Sequence, residues 1–547
     1  MIHHFKRSEW INYAIIEIIR IAVGSLLPGY VHPDEFFQGG QDLFFGCPSL
    51  IPWEFEQKNA LRSIFPPTLL TWIPLTLYSS VANEGEGTIT NKLSGLEILV
   101  LPRIFCGILS LIMVHAPLYF LTRTSSTVGP TSTMWLLSSS WPTWVFLNRP
   151  FTNGLETMFL AVLLQVVTIT LTSPTRDQIR MFALGVLFAL AVFTRFTFIF
   201  FGSPIFVASI LRTSSTLSSL IKNAGIYLVG FMIAALTIVA VDTTYYGGEY
   251  NEWNLYVAPV NALRYNSNPQ NLQHHGLHPR WTHILVNMFL LFGPMTILFY
   301  SKLPQLLLEC FTESIKKTSE ERFVKKVCFW SIVSGLAFLS MAPHQEPRFL
   351  APLLVPLLIV TSDNLWTSRY HRFCWIFFNL SLLVTFGILH QGGVLPALMA
   401  KVIISDENKP VSFLFFHTYM PPSFATRRHC NFEEKTAGGF PSSCTGIPLH
   451  DLKGSSPYEL ERVLDLQLEC DQESDSHLLL VAPPLSLKDD KVISSRRCYL
   501  GENFNCDPLW THWPHLTTED MPRVSSVRNF IRDCELTIYN ITCNSYS

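Results

Sequence analysis

Long apolar runs recur along the first three-quarters of this 547-residue chain, and they limit its fold more than any other feature. Residues 10–28, 98–121, 155–171, 183–211, 224–241, 284–308, 327–341, 350–360 and 373–395 are mostly long enough, or nearly so, to cross a bilayer. Shorter candidates lie at 66–81 and 134–147, which makes eleven runs. Backbone in hydrocarbon has no water to bond, so such runs become helices. Composition agrees: 15% of residues are charged, against roughly 25% in soluble domains. With a net charge of −2 the chain has no basic excess for a nucleic-acid partner. The expected fold is an all-α polytopic membrane protein of about eleven spans over residues 1–400, followed by a polar region at 401–547.

Lys6 and Arg7 precede the first run, as in a signal peptide. Glu17 and Arg20 interrupt that run three residues apart, and no small-residue cleavage site follows, so an uncleaved span is expected. The pair is read as neutralising itself on one helix face, with a catalytic role as the alternative. Basic residues set the orientation. Lys6 and Arg7, the cluster from Lys316 to Lys326, and Arg369 with Arg372 mark cytosolic segments. Residues 29–65, 245–283 and everything after 395 then lie on the far side. Arg176 and Arg180 run against this order, and the stretch from Arg149 to Glu156 falls on the cytosolic side, where it reads as structural.

The tail holds Cys430, Cys444, Cys470, Cys498, Cys506, Cys534 and Cys543, which suggests disulfides and an oxidising compartment, with Cys47 as an eighth partner. Asn540-Ile541-Thr542 is a glycosylation acceptor on the same face. Paired CxxC spacings are absent, which argues against zinc.

Three polar clusters interrupt the apolar pattern. His32-Pro33-Asp34-Glu35-Phe36-Phe37-Gln38 follows the first run. The proline blocks helix continuation, so the two acids sit in a constrained turn at a membrane lip. A carboxylate there can take a proton from a hydroxyl; a solvated loop is the plain alternative. The second cluster runs from Asn268 to His283 and includes Gln270, Asn271, His275 and His283. Its hydrogen-bonding groups suit a sugar or phosphate; a solvated loop or a histidine metal site are the alternatives. The third is His344-Gln345-Glu346-Pro347-Arg348-Phe349. Arg348 can clamp a phosphate, with His344 as a second donor, or it can simply pair with Glu346. Arg195 sits inside an apolar run and has to face a polar interior.

HPDEFFQ after the first span, together with HQEPRF, resembles glycosyltransferase family 22 over roughly residues 10–400. The resemblance implies a GT-C fold in the endoplasmic-reticulum membrane, with long luminal loops after spans one and seven. It also implies dolichyl-phosphate mannose as lipid-linked donor, with no cofactor and no essential metal. The second loop departs from the Tyr-Gly-Thr-His-Pro-Trp-His-Trp-Tyr pattern of some members. It is similar, with Pro52-Trp53-Glu54-Phe55, Arg62-Ser63 and His417-Thr418-Tyr419-Met420-Pro421-Pro422, to the branch adding a fourth, side-branching mannose to the glycosylphosphatidylinositol (GPI) precursor. Inversion at the donor sugar follows from that assignment. Asp34 is then the expected base and Glu35 its partner, with Arg348 and His344 on the leaving phosphate. His32, Gln38, Arg62, Arg195, Gln270, Asn271, His275, His283, Gln345 and Glu346 complete the expected substrate-binding set. Two other classes remain open. A transporter would use Arg195 and Asp242 near the midplane, and a scaffold would tolerate loss of Asp34.

Overall fold

A computed structural model describes residues 7–46, 51–82, 93–123, 130–168, 174–247, 254–273, 276–312, 319–400, 411–426, 449–468, 477–487, 504–517, 520–522 and 527–543. His275 lies outside them, as do Cys47, Cys430, Cys444, Cys470 and Cys498. The chain divides into two compact units. One comprises Met1–Ser25, Pro52–Pro74 and Leu101–Ser381; the other comprises Leu26–Ile51, Leu75–Val100 and Leu382–Ser547.

The first unit is helical and turned inside out relative to a soluble bundle. Helix Arg7–Leu26 shows why. Its 20 residues reach about 30 Å, one hydrocarbon thickness. Ile11, Ile15, Ile18, Ile19 and Val23 are exposed, while Tyr13, Glu17, Arg20 and Gly24 are buried. Hydrocarbon accepts the isoleucines, and the polar stripe has to find partners inside.

It finds them across four elements. Arg20 Nε donates to Glu17 at 2.6 Å, and its other nitrogens reach Asn148 at 3.2 Å and Ser110 at 2.9 Å. Ser138 donates to Glu17 at 2.5 Å, and Tyr13 bonds His115 at 2.5 Å. The pair does offset its own charge on one face, as expected, and it also ties helix Arg7–Leu26 to Gly95–Thr122 and to the segment carrying Ser138 and Asn148.

Among the described residues six helices are long and apolar enough to cross a membrane: Gly95–Thr122, Asp177–Thr194, Leu217–Tyr246, Glu320–Met341, Pro347–Trp366 and Arg369–Leu389. Shorter apolar helices are Thr152–Thr168, Phe198–Thr213 and His283–Phe292. The run at 183–211 does not form one span. It breaks at Arg195 into Pro174–Thr194 and Phe198–Thr213.

That break changes which ends lie together. Arg195 bonds Thr152 and Glu156 and stacks on Phe349, so the start of Thr152–Thr168 shares an end with residues 344–349. The stretch from Arg149 to Glu156 is therefore not on the opposite face from that cluster. At the other end Arg180 faces Arg212, Arg212 covers Phe323, and Lys325 pairs with Asp363 at 3.3 Å. Arg180 thus joins the basic end with Lys325, and its apparent breach of the charge rule disappears.

The second unit corrects the all-α expectation. Strands β1 (Val411–Phe415), β2 (Leu449–Asp451), β3 (His477–Ala482), β4 (Phe504–His512) and β5 (Leu536–Cys543) form one mixed sheet in the order β2-β1-β3-β5-β4. β1 runs parallel to β2 and β3; β5 runs antiparallel to β3 and β4. Helix Pro457–Leu468 lays Leu460, Leu464 and Leu468, spaced by four, on Leu414, Leu478, Leu480 and Ile541. Asn540 lies half-buried in an interior strand, beside Leu479 and Asp507. Cys506 and Cys543 are disulfide-bonded, and Cys534 is a free thiol, so the expected cross-linking does not extend to every tail cysteine.

Replacing Arg20 by Leu leaves Glu17 buried without its cation. The expected loss is about 3–5 kcal/mol of stability, read as a lower unfolding temperature in detergent. Glu17→Gln combined with Arg20→Gln should recover part of it. An unchanged melting curve for Arg20→Leu would show that this network does not support the fold.

Candidate active site

In the second unit, Pro33 opens a short helix, Asp34–Phe37, directly after His32. The His32 ring accepts from the Asp34 backbone N–H at 3.1 Å, and its Nδ1 lies 3.6 Å from the Asp34 carboxylate. The two acids differ in environment. Asp34 keeps part of its carboxylate accessible, while Glu35 is fully buried and Gln38 nearly so. Only Asp34 of the pair can meet a substrate without rearrangement.

The backbone before this turn is fixed. Gly29 N–H donates to the Gly387 carbonyl at 2.8 Å and Tyr30 N–H to the His390 carbonyl at 2.8 Å. A Cβ on Gly29 would run into the Phe386 and Gly387 backbone. His390 Nδ1 bonds the Tyr30 carbonyl at 3.0 Å, and burial holds its ring below the ordinary histidine range, hence neutral, against the opposing pull of that bond. Tyr30 donates its hydroxyl to the Met420 carbonyl at 2.8 Å, and Tyr419 packs against Tyr30 and His390. After the turn, Asp42 accepts from Ser423 Oγ at 3.0 Å and Phe424 N–H at 2.9 Å. Burial pushes its carboxyl up to about 6, and these bonds only partly oppose that. The turn that carries Asp34 is thus clamped by segment 387–391 before it and segment 419–424 around it.

In the first unit, the third polar cluster closes into a network. Glu346 bridges two side chains: one oxygen takes His344 Nε2 at 2.7 Å and the other takes Arg348 Nε. His344 Nδ1 bonds the Gly276 carbonyl at 3.1 Å. Burial works against a charged His344, but the Glu346 contact outweighs it and the ring titrates above its usual value. Gln345 is buried and positions the loop. Its carbonyl accepts from His283 N–H at 2.8 Å, and its amide donates to Ser340 and Ala342 carbonyls at 3.0 Å. His283 is fully buried beside Asn287, and its Nε2 has no hydrogen-bond partner among the described residues.

Arg348 and Arg195 both lie over the Phe349 ring, at 5.4 and 5.1 Å. Arg195 also approaches Glu156 at 3.2 Å, and Thr197 donates to Glu156 at 2.9 Å. Arg62, bonded through two nitrogens to Glu54 at 2.9 and 3.0 Å, lies within electrostatic reach of Glu156. Tyr246 holds the Arg62 carbonyl at 2.6 Å, and Asp242 accepts from Ser63 and Ile64 N–H at 2.9 Å each. Asp242 is thereby a loop anchor.

Arg62, Arg195, His283, His344, Gln345, Glu346 and Arg348 therefore share one region. Gln270 is exposed, Asn271 holds the Tyr265 carbonyl at 3.1 Å, and neither bonds the His344 group. Glu156, read from the sequence as part of a structural stretch on the cytosolic side, joins this region as the partner of Arg195. Its signal was an acid inside an apolar helix. Among the described residues no three His, Cys, Asp or Glu side chains converge as a metal-binding set.

Residues 11–418 match the model of the Alg9-like mannosyltransferase family. The chain belongs to this family. It is 31% identical to human GPI alpha-1,2-mannosyltransferase 4, over 95% of this chain and 91% of the human one. It is 32% identical to GPI mannosyltransferase 4 of Candida albicans, over 94% of this chain and 96% of that one. Among solved structures it is similar to ArnT of Cupriavidus metallidurans in the apo state, with 10% identity, a TM-score of 0.48, and coverage of 87% of this chain and 92% of that one. The protein is a membrane-embedded glycosyltransferase.

Because Glu346 favours the charged form of His344, that contact is complete below the ordinary histidine value of about 6.5. It is lost as pH rises through the raised value. Turnover measured against pH should fall on this alkaline limb, and His344→Gln should flatten it. An identical limb in the Gln variant would assign the titration to another group.

Proposed function

We propose that this enzyme transfers mannose from dolichyl-phosphate mannose to the third mannose of a GPI precursor, forming the α-1,2-linked side branch on the luminal side of the endoplasmic reticulum. Relatives from 27% to 32% identical carry the name GPI mannosyltransferase 4, and the human one's name includes the α-1,2 linkage. The observation that carries the mechanism is the unequal burial of the adjacent acids: Asp34 is accessible and Glu35 is not.

The chemistry follows from a β-linked donor and an α-linked product. One in-line displacement inverts the anomeric carbon. The acceptor 2-hydroxyl oxygen forms the new bond to that carbon as the bond to the phosphate oxygen breaks. Asp34 takes the hydroxyl proton. Dolichyl phosphate leaves as a weak base and needs charge stabilisation rather than a protonating acid. Arg348 supplies a planar, permanently charged fork for it, and His344⁺ a second donor. Glu346 holds both cations in one orientation. Arg195, which also packs on Phe349, adds positive potential.

Complementation of cells lacking the fourth-mannose step, with analysis of the accumulating GPI glycans, tests the acceptor. Restoration of a different mannosylation step alone would overturn it. Asp34→Asn should lower transfer by ~10²–10⁴ at normal abundance and melting temperature. Glu35→Gln changes a fully buried group and should lower melting temperature as well as activity. Wild-type turnover in Asp34→Asn would remove Asp34 as the base.

Arg348→Lys keeps the charge but loses the fork, and should reduce turnover by ~10²–10³. The opposing view is that Arg348 only neutralises Glu346. Under that view Glu346→Gln with Arg348→Gln should recover the activity that either single change loses. Recovery in the double variant would refute the phosphate role.

A further inference from the structure

The loop that carries His344 and Arg348 is stitched to the segment entering helix His283–Phe292, and the stitches decide which ring nitrogens stay available there. Pro279 disfavours a helical backbone at His278, and residues 276–279 form no helix. The His278 backbone N–H instead donates to the Pro343 carbonyl at 2.8 Å. In return its ring Nδ1 accepts the Gln345 N–H at 3.3 Å. Arg280 Nη1 bonds the Met341 carbonyl, and the Gln345 amide donates to the Arg280 carbonyl at 3.3 Å. Residues 278–283 are thereby fastened along residues 341–345.

Both nitrogens of the His344 ring are engaged inside this clasp. Nδ1 bonds the Gly276 carbonyl at 3.1 Å, and Nε2 bonds the Glu346 carboxylate at 2.7 Å. A phosphate that meets His344 has to displace or share one of these bonds. The network also covers its members: 13% of the His344 side chain and 8% of the Arg348 side chain are accessible. His278 differs on both counts. It is exposed. Because its Nδ1 accepts, the ring hydrogen stands on Nε2, and that nitrogen bonds no other group among the described residues. The His278 ring lies 6.0 Å from the His344 ring, which lies 5.7 Å from Phe349. Arg348 lies over that same Phe349 ring. His278 is thus the exposed end of an arc that runs through His344 and Phe349 to Arg348.

We propose that His278 is a further phosphate-binding residue of this enzyme, with its Nε2–H donating to an oxygen of the leaving lipid phosphate. The proposal rests on the reading of the His344–Arg348 loop as the position of that phosphate. A hydrogen bond to an anionic oxygen is charge-assisted and stronger than one between neutral groups. Charge grows on the phosphate oxygens as the bond to the sugar breaks, and a donor already fixed in place needs no rearrangement at that moment. The proton stays on His278 throughout. Arg348 supplies the permanent charge. His344 joins the two: through Gly276 it holds the segment leading to His278, and through Glu346 it holds Arg348. Gln345 is the positioning residue for the His278 ring, because its backbone N–H sets the tautomer that puts the hydrogen on Nε2.

Two substitutions separate the nitrogens of this histidine, since an asparagine amide stands near the place of Nδ1 and a glutamine amide near that of Nε2. His278→Asn keeps an acceptor for the Gln345 N–H and loses the outer donor; His278→Gln does the reverse. In the full-length protein, assayed per folded molecule in detergent, His278→Asn should keep the wild-type melting temperature and lower kcat by ~10². His278→Gln should melt lower and remain the faster of the two. A purely structural His278 gives the opposite order, so an Asn variant as fast as the Gln variant, or faster, overturns the proposal. Binding of dolichyl phosphate, compared with uncharged dolichol, gives a second reading that needs no turnover. Wild type should prefer the phosphate form, and His278→Asn should lose most of that preference with its dolichol binding unchanged. Arg348→Lys is the reference. If Arg348→Lys loses the preference while His278→Asn keeps it, His278 is not a phosphate ligand. If both keep it, the phosphate is bound elsewhere, and the reading of this loop fails together with the proposal.

Discussion

Arg195 cannot lose its charge and cannot be left bare in hydrocarbon, and much of the first unit is arranged around that fact. A guanidinium in an apolar run needs polar partners inside the protein. Arg195 lies where one helix stops at Thr194 and the next restarts at Phe198. Thr152 and Glu156 come from a second helix to meet it, and Phe349 from a third segment covers it. Those contacts gather several helix ends on one side and leave the lysine and arginine clusters on the other. Arg348 packs on the same Phe349 ring.

Carboxylates in this protein serve different ends according to what surrounds them. Glu17 and Glu156 are structural counter-ions inside the helical unit. Asp242 and Asp42 use their oxygens to hold neighbouring backbone, at Ile64 and Phe424. Glu346 holds His344 and Arg348 in register. Asp34 differs from Glu17, Glu156, Asp42 and Asp242 because part of its side chain meets solvent, while the turn around it is tied down on both sides. A base that has to meet an incoming hydroxyl needs that combination of access and fixed geometry. The buried Glu35 beside it supports the turn from within.

The candidate site was legible in part. HPDEFFQ and HQEPRF stand out because acids and cations at a membrane edge are costly, so the residue types alone mark them. Arg195 was visible for the same reason. Glu156 carried that signal as well, but the run at 134–147 was counted as a span, and this put Glu156 on the other side; that run is two short helices, Pro130–Ser138 and Trp141–Val145. Gln345 was read as a substrate ligand, and its bonds to His283, Ser340 and Ala342 also anchor the loop, a second use of an amide that only its partners reveal. The sheet was hidden for another reason. Its strands are short and far apart in sequence, with β1 pairing to β3 more than sixty positions later.

By itself the sequence determined that this chain is a membrane protein, which face of its first helix is polar, and which short motifs carry charge at a membrane edge. Those properties depend on local composition and on helical spacing, and both are written in consecutive residues. Only the tertiary structure decided that Asp34 is accessible and Glu35 is not, that Glu346 joins His344 to Arg348, and that the tail is a mixed sheet. Burial and pairing are set by residues more than a hundred positions apart, such as Asp42 with Phe424 or Arg20 with Asn148. No local pattern encodes those distances, because they arise when the helices and strands close on one another.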